Sequence, residues 1–169
     1  MDKMTPEQRH RCMAAIHSRN TRPEMIVRRY LHACGYRYRV NHPRLPGKPD
    51  VVLRKFHACV FVNGCFWHGH DCGLFSLPKT NTQYWKEKIE RNKERDRQNA
   101  LQLARMGWHV LTIWECQLKP SARLQTLQGL DATLSTIYLN DRRPLCKYQE
   151  IEEEDNSRAA ETTDGENLK

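Results

Sequence analysis

Between residues 20 and 65 the spacing of hydrophobic positions changes from helical to strand-like. Ile26, Val27, Tyr30, Leu31 and Cys34 fall on one helical face that Gly35 closes. Thr21 followed by Glu24 has the spacing of a capping box, so Glu24 sits in the first turn, where it either caps the helix or takes a direct part in chemistry. Thr5-Pro6-Glu7-Gln8 has the same form and predicts an earlier helix running to about Ser18. After Gly35 come Tyr36 to Val40, the loop Leu45-Pro46-Gly47-Lys48-Pro49, then Asp50-Val51-Val52-Leu53 and Ala58-Cys59-Val60-Phe61-Val62, which read as three successive strands. From Asn81 to Met106 the chain reads as one long charged helix with Trp85, Ile89, Leu101 and Ala104 as apolar points, ended by Gly107. Trp108 to Trp114 then reads as a buried strand, and a helix near Ser121 to Tyr138 completes an α/β domain without internal repeats.

Charge changes the picture at the C-terminus. Residues 150–169 hold eight acidic and two basic groups, leaving 26 Lys/Arg against 12 Asp/Glu in the rest of a 169-residue chain. A domain over residues 1–145 is therefore strongly basic, and residues 146–169 form an acidic tail, poor in large apolar residues, that is expected to be disordered. The tail reads as a solubilising extension in preference to a mimic of nucleic acid. The basic body points to a polyanionic partner, with nucleic acid first. No stretch approaches the apolar length of a transmembrane helix.

The densest chemistry is Cys65-Phe66-Trp67-His68-Gly69-His70-Asp71-Cys72. Cys65, His70 and Cys72, with Cys116 of Trp-Glu-Cys as a fourth, supply the thiol and imidazole ligands of a closed tetrahedral zinc site. Buried thiols or a disulfide are the alternatives, but seven cysteines are an odd number and no apolar leader directs the chain to an oxidising compartment. Cys12, Cys34, Cys59 and Cys146 lack neighbouring ligands and read as incidental thiols. His68 is left outside the ligand set, free for proton transfer. Asp50, held by Pro49 at the mouth of a strand, has the position of a hard-metal ligand, and the strand ending at Asn63 delivers the Cys/His block beside it.

Met13-Ala14-Ala15-Ile16, Asn20-Thr21-Arg22-Pro23-Glu24, Leu45-Pro46-Gly47-Lys48-Pro49-Asp50, the Cys65–Cys72 block and Trp114-Glu115-Cys116 together closely resemble the Vsr, or very-short-patch-repair, endonucleases. The resemblance runs from about Thr5 to Lys119. It implies a restriction-endonuclease-like core, a mixed central sheet flanked by helices, with structural zinc. The implied activity is a nick in duplex DNA 5′ of the mispaired T in T·G mismatches left by 5-methylcytosine deamination. It implies catalytic magnesium on Asp50 and the Val62 carbonyl, His68 activating water, and Glu24 among the metal-bound waters. Phe66, Trp67 and Trp85 are implied as a wedge into the base stack, and Met13, Ile16, Lys88 and Asn92 as contacts to the mismatch or its flanks. Without the resemblance, Trp85 would pass for a core residue and Met13 and Ile16 for an apolar helix stripe.

The implied setting is the bacterial cytoplasm at the nucleoid, as a monomer with no membrane association, alongside other mismatch-repair proteins and a repair polymerase. Two positions depart from the pattern. Val62 stands where threonine is familiar, and Asn63 of the implied catalytic group stands where histidine or aspartate is familiar. Asparagine cannot act as a base, although its carbonyl oxygen can approach a metal. The competing functions are a restriction-type endonuclease of the same fold acting on undamaged sites, and a non-catalytic zinc module that binds DNA.

Overall fold

The computed structural model describes Thr5, Glu7, Gln8, Arg11 and residues 19–142. The helices are α1 (Arg22–Ala33), α2 (Thr82–Arg105) and α3 (Arg123–Arg142); the strands are β1 (Val51–Leu53), β2 (Ala58–Asn63) and β3 (His109–Trp114). Thr5 and Gln8 make the expected reciprocal cap: the Thr5 N–H donates to Gln8 Oε1 at 2.9 Å and the Gln8 N–H to Thr5 Oγ1 at 3.2 Å. The remainder of the helix expected to Ser18, with Cys12, Met13 and Ile16, lies outside the described residues, as do Cys146 and the acidic tail. Among the described residues no helix is long and apolar enough to cross a membrane.

The three strands form one mixed sheet in the order β1-β2-β3, with β1 antiparallel and β3 parallel to β2. A parallel neighbour needs a crossover, and the chain between β2 and β3 supplies it with α2. Period-two alternation gives the sheet two apolar faces. Val51, Leu53, Ala58 and Val60 pack with Val27 and Leu31 of α1, Ile113, and Leu127, Leu130, Leu134 and Ile137 of α3. On the other face Val52 and Cys59 meet Leu45 and Leu103. Every residue of β1 is buried, as expected of a strand covered on both sides.

Three sequence expectations change. Tyr36 to Val40 is not a strand; only Arg39 pairs, through reciprocal backbone bonds with Val52 at 2.9 and 2.8 Å. Asn41, at φ 46°, then turns the chain away. Nor is β3 a fully buried strand: it lies at the sheet edge, with Ile113 buried and His109 and Thr112 exposed. On α2, Leu101 and Ala104 face solvent, and the inward stripe is Trp85, Ile89, Asn92, Asp96, Asn99 and Leu103. Those positions recur at three- and four-residue spacing, so the helix is amphipathic with a polar middle to its buried face.

Gly69 sets how closely the Cys/His block approaches α2. Its φ is 57°, and a Cβ there would lie 2.6 Å from Ile89 Cγ2 and 2.5 Å from Lys93 Cε. The lysine can swing aside, but Ile89 is buried. Gly69→Ala should therefore cost roughly 1–3 kcal/mol through backbone strain and overpacking. Urea unfolding checks this, and an unchanged midpoint would show that α2 yields freely.

Candidate functional site

The β2–β3 register ends with Asn63 beside Trp114. Two residues further along each parallel strand stand Cys65 and Cys116, so strand pairing alone brings the two thiols to the same sheet end. The block after Cys65 then folds tightly: the His70 N–H donates to Cys65 O at 3.0 Å and the Cys72 N–H to His70 O at 2.9 Å. The ligand atoms of Cys65, His70, Cys72 and Cys116 all lie within 4.8 Å of one another. His70 Nδ1 is 3.6 Å from Cys65 Sγ and 3.5 Å from Cys116 Sγ. A tetrahedral zinc with Zn–S of about 2.3 Å and Zn–N of about 2.0 Å would have an S···N edge of about 3.5 Å, so the donor set fits zinc in both type and size. The His70 ring is oriented by stacking on Trp114, with centroids 4.1 Å apart and 7° between planes. Burial pushes the Cys65 thiol up to about 12, whereas the Leu74 backbone N–H holds the Cys72 thiol below its ordinary value.

Beside this knot lies a cleft of about 990 Å³ lined by Glu24, Asp50, Val62, Asn63, His68 and Asp96, among others. Asp50 stands one residue before β1, and the Val62 N–H donates to its Oδ2 at 2.8 Å. Burial raises the Asp50 carboxyl to about 6; the Val62 N–H opposes that, Glu24 adds to it, and Arg28 and His68 oppose it more weakly. Glu24 is 4% exposed and both caps α1 and lines the cleft. Its Oε2 accepts from the Asn20 N–H at 2.9 Å and its Oε1 from the Thr21 hydroxyl at 2.9 Å. Of the two alternatives left open by sequence, the capping role is seen directly, and the same carboxylate also faces the cleft. A buried and a partly buried carboxylate facing one cleft, Glu24 and Asp50, are a donor set for a hard divalent cation.

His68 Nδ1 is hydrogen-bonded to Asp96 Oδ2 of α2. A carboxylate only accepts, so Nδ1 is the donor in this contact, and in the neutral ring Nε2 is then the acceptor. Sequence reasoning missed Asp96 because it stands in a run of alternating charge, and its four-residue spacing from Asn92 was the available signal. It also missed Arg28, whose guanidinium lies 3.0 Å from Glu24 across one helical turn.

Phe66, Trp67 and Trp85 form a half-buried aromatic group at the cleft's edge, with ring centroids 5.2–5.9 Å apart. Tyr84 extends it, 5.5 Å from Trp85 and 51% exposed. Lys88 Nζ stands 5.7–6.0 Å from the Tyr84, Trp85 and Trp67 rings. Asn92 donates to the Trp67 carbonyl at 2.8 Å and so fixes the loop that carries the rings. Of the other positions implied to meet DNA, Met13 and Ile16 lie outside the described residues.

A buried carboxylate, a carboxylate-held imidazole and a basic helix around one cleft suit metal-assisted hydrolysis of a phosphodiester. The family model for the DNA mismatch endonuclease Vsr matches residues 1–74. A Type II nicking enzyme of Neisseria meningitidis is 47% identical over 121 residues, which cover 72% of this chain and 86% of that protein. Another Type II nicking enzyme, from Xanthomonas oryzae, is 44% identical over 124 residues, 73% of this chain and 91% of that protein. The DNA mismatch endonuclease Vsr of Escherichia coli is 42% identical over 123 residues, 73% of this chain and 77% of that protein. The chain belongs to the Vsr family of DNA mismatch endonucleases.

The raised pKa of Asp50 carries a stability consequence. Between about pH 4 and about 6 the folded chain keeps a proton that the unfolded chain has released, so this group's contribution to stability falls as pH rises through that window. At neutral pH the ionised carboxylate is a net cost. Asp50→Asn keeps an acceptor for the Val62 N–H and should raise stability by about 1–3 kcal/mol at pH 8 without added magnesium, and by much less at pH 4. Denaturant unfolding at the two pH values measures the difference. A variant no more stable than wild type at pH 8 would show that the surrounding donors already balance the charge.

Proposed function

We propose that this protein nicks duplex DNA on the 5′ side of the mispaired T in T·G mismatches left by 5-methylcytosine deamination, starting very short patch repair. The observation that carries this reading is the meeting of Asp50 and the His68–Asp96 pair in one cleft, edged by the aromatic group of Phe66, Trp67 and Trp85. The core is read as restriction-endonuclease-like: a mixed sheet flanked by helices, with the Asp50 carboxylate at its strand mouth. Relatives named nicking enzymes support cleavage of one strand.

Asp50 and the Val62 carbonyl would hold magnesium, with Glu24 alongside. Magnesium, when bound, neutralises phosphate charge and makes water a better nucleophile near neutral pH. His68 Nε2 takes the proton of the attacking water, and Asp96 fixes its tautomer and steadies the imidazolium that forms. Asn63 lines the same cleft and offers an amide where relatives of the family pattern carry an imidazole or carboxylate, so Asp50 is the principal carboxylate beside Val62. Zinc would be held by Cys65, His70, Cys72 and Cys116 as a structural cross-link.

The aromatic group enters the base stack beside the mismatch. Unstacking a step costs a few kcal/mol, and a mismatched step is already weakened, so deformability contributes to selection. Lys88 and Asn92 stand at the base of this group, where Lys88 can reach phosphate or base edges. The protein acts as a monomer in the cytoplasm, at the nucleoid, with duplex DNA as its partner and repair proteins following the nick. The endonuclease domain spans 1–145 and the acidic tail solubilises it. A restriction-type enzyme would share these catalytic parts but has no use for an aromatic wedge at a weakened step.

On duplexes carrying each mismatch, single-turnover nicking should be confined to the T strand of T·G and require magnesium. Asp50→Ala should abolish it while mismatch binding persists. His68→Ala should slow it by roughly two orders of magnitude or more. Equal nicking of matched duplexes would overturn the mismatch assignment, and wild-type cleavage by His68→Ala would require another base.

Elemental analysis should find one zinc per chain. Cys116→Ser should lower both the zinc content and the unfolding temperature, because structural metal binding is folding free energy. Folded protein free of zinc would remove the structural-zinc reading.

A further inference from the structure

Arg28 is a buried cation for which the proposed reaction has no direct use. Its side chain is 5% exposed. Nη2 lies 3.0 Å from Glu24 Oε2 and also donates to the Asp50 backbone carbonyl at 3.1 Å. Nη1 donates to Asn20 Oδ1 at 2.7 Å, and Asn20 in turn gives its N–H to Glu24 Oε2. Nε, also buried, has no partner among the described residues. Arg28 itself is anchored by Tyr38, whose hydroxyl donates to the Arg28 carbonyl at 2.9 Å.

Burying a guanidinium with an unused donor is unfavourable, and an apolar residue would serve packing better at a position flanked by Val27 and Leu31. What the guanidinium does that an apolar residue cannot is join two elements through a single nitrogen. On one side is the carboxylate of α1, on the other the peptide oxygen of Asp50 at the mouth of β1. A planar fork with fixed donor directions holds those partners and Asn20 at once. Glu24 and Asp50 line the same cleft and repel one another, so the cation between them also offsets their mutual charge.

We propose that Arg28 is a positioning residue that fixes the Glu24 and Asp50 carboxylates relative to one another by tying α1 to the start of β1. It touches neither DNA nor the reacting atoms. The inference rests on the reading of Glu24 and Asp50 as the metal-holding side of the cleft.

Its role separates charge from geometry, and two substitutions divide them. Arg28→Met removes both; Arg28→Lys keeps the charge but cannot hold three partners in fixed directions. Full-length, zinc-loaded proteins are compared by Mn²⁺ binding without DNA, read from free Mn²⁺ by electron paramagnetic resonance, and by single-turnover nicking of a T·G duplex. In Arg28→Met, loss of a nearby positive charge should tighten Mn²⁺ binding by about threefold or more, while loss of the fork slows nicking by at least about tenfold. In Arg28→Lys, Mn²⁺ affinity should stay within about twofold of wild type while nicking still slows.

A purely structural arginine would lower the unfolding temperature and leave both quantities per folded molecule unchanged. That result overturns the proposal, as does Arg28→Lys nicking at the wild-type rate, which remains decisive if Arg28→Met fails to fold. Mn²⁺ affinity and rate falling together in Arg28→Met would also overturn it, because the arginine would then be propping up the cleft as a whole. If wild type nicks no duplex yet Arg28→Met tightens Mn²⁺ and Arg28→Lys does not, the proposed reaction fails while the charge assignment of Arg28 stands.

Discussion

The parallel pairing of β2 with β3, in the register that sets Asn63 against Trp114, is the constraint on which the rest of the site depends. From that pair the two chains leave the sheet at the same end and in the same direction, which is why Cys65 and Cys116 meet. On the other side of β2 the antiparallel register of β1 sets Val51 against Val60, so Asp50 falls opposite Phe61 and its carboxylate reaches one residue on to accept the Val62 N–H. One strand therefore carries the contact to the acidic cleft and, two residues past its end, the first ligand of the Cys/His knot. A slip of one residue would carry Val60 to the opposite face of the sheet, away from Val27 and Leu31, and remove both contacts together.

The long helix α2 follows a different logic from the other two. Its buried stripe begins and ends apolar, at Trp85, Ile89 and Leu103, and is polar between, at Asn92, Asp96 and Asn99. The first two of these bind parts of the Cys/His block: Asn92 the Trp67 carbonyl and Asp96 the His68 ring. Apolar burial alone would have made a more stable helix interface. The polar middle gives up that stabilisation and in return fixes a loop whose side chains need defined directions. Gly69 allows the approach, since nothing larger fits between the block and Ile89.

The sequence made the Cys/His cluster legible because its residue types have few structural uses, and it made α1 legible because Thr21, Glu24 and the stripe from Val27 to Leu31 agree with one another. The strand mouth at Asp50 was legible from the proline before it. What was not legible depended on contacts distant in sequence. Asp96 and Arg28 look like ordinary solvated charges until tertiary structure puts His68 beside one and Asp50 beside the other. The expected strand from Tyr36 to Val40 failed for a related reason: Tyr36 and Tyr38 pack on the core as side chains, Tyr36 donating to Asp131 at 2.6 Å, while Val40 is exposed and no backbone ladder extends beyond Arg39. On α2, reading only apolar positions selected Leu101 and Ala104, because the true inward stripe is half polar.

The two positions that read in the sequence as departures from the family pattern differ in physical weight. Val62 meets Asp50 through its backbone N–H, a group that every residue but proline possesses, so a valine in place of threonine leaves that contact intact and keeps the β-branched shape a strand prefers. Asn63 is different, because what sets it apart from histidine or aspartate in the cleft lining is its side chain. An amide there brings neither a charge nor a titrating proton, which leaves His68, held by Asp96, as the histidine directed at the cleft beside Asp50. Backbone contacts survive substitution and side-chain contacts do not. The Val62–Asp50 contact is thus insulated from side-chain change at position 62, while whatever the position-63 side chain presents to the cleft is not.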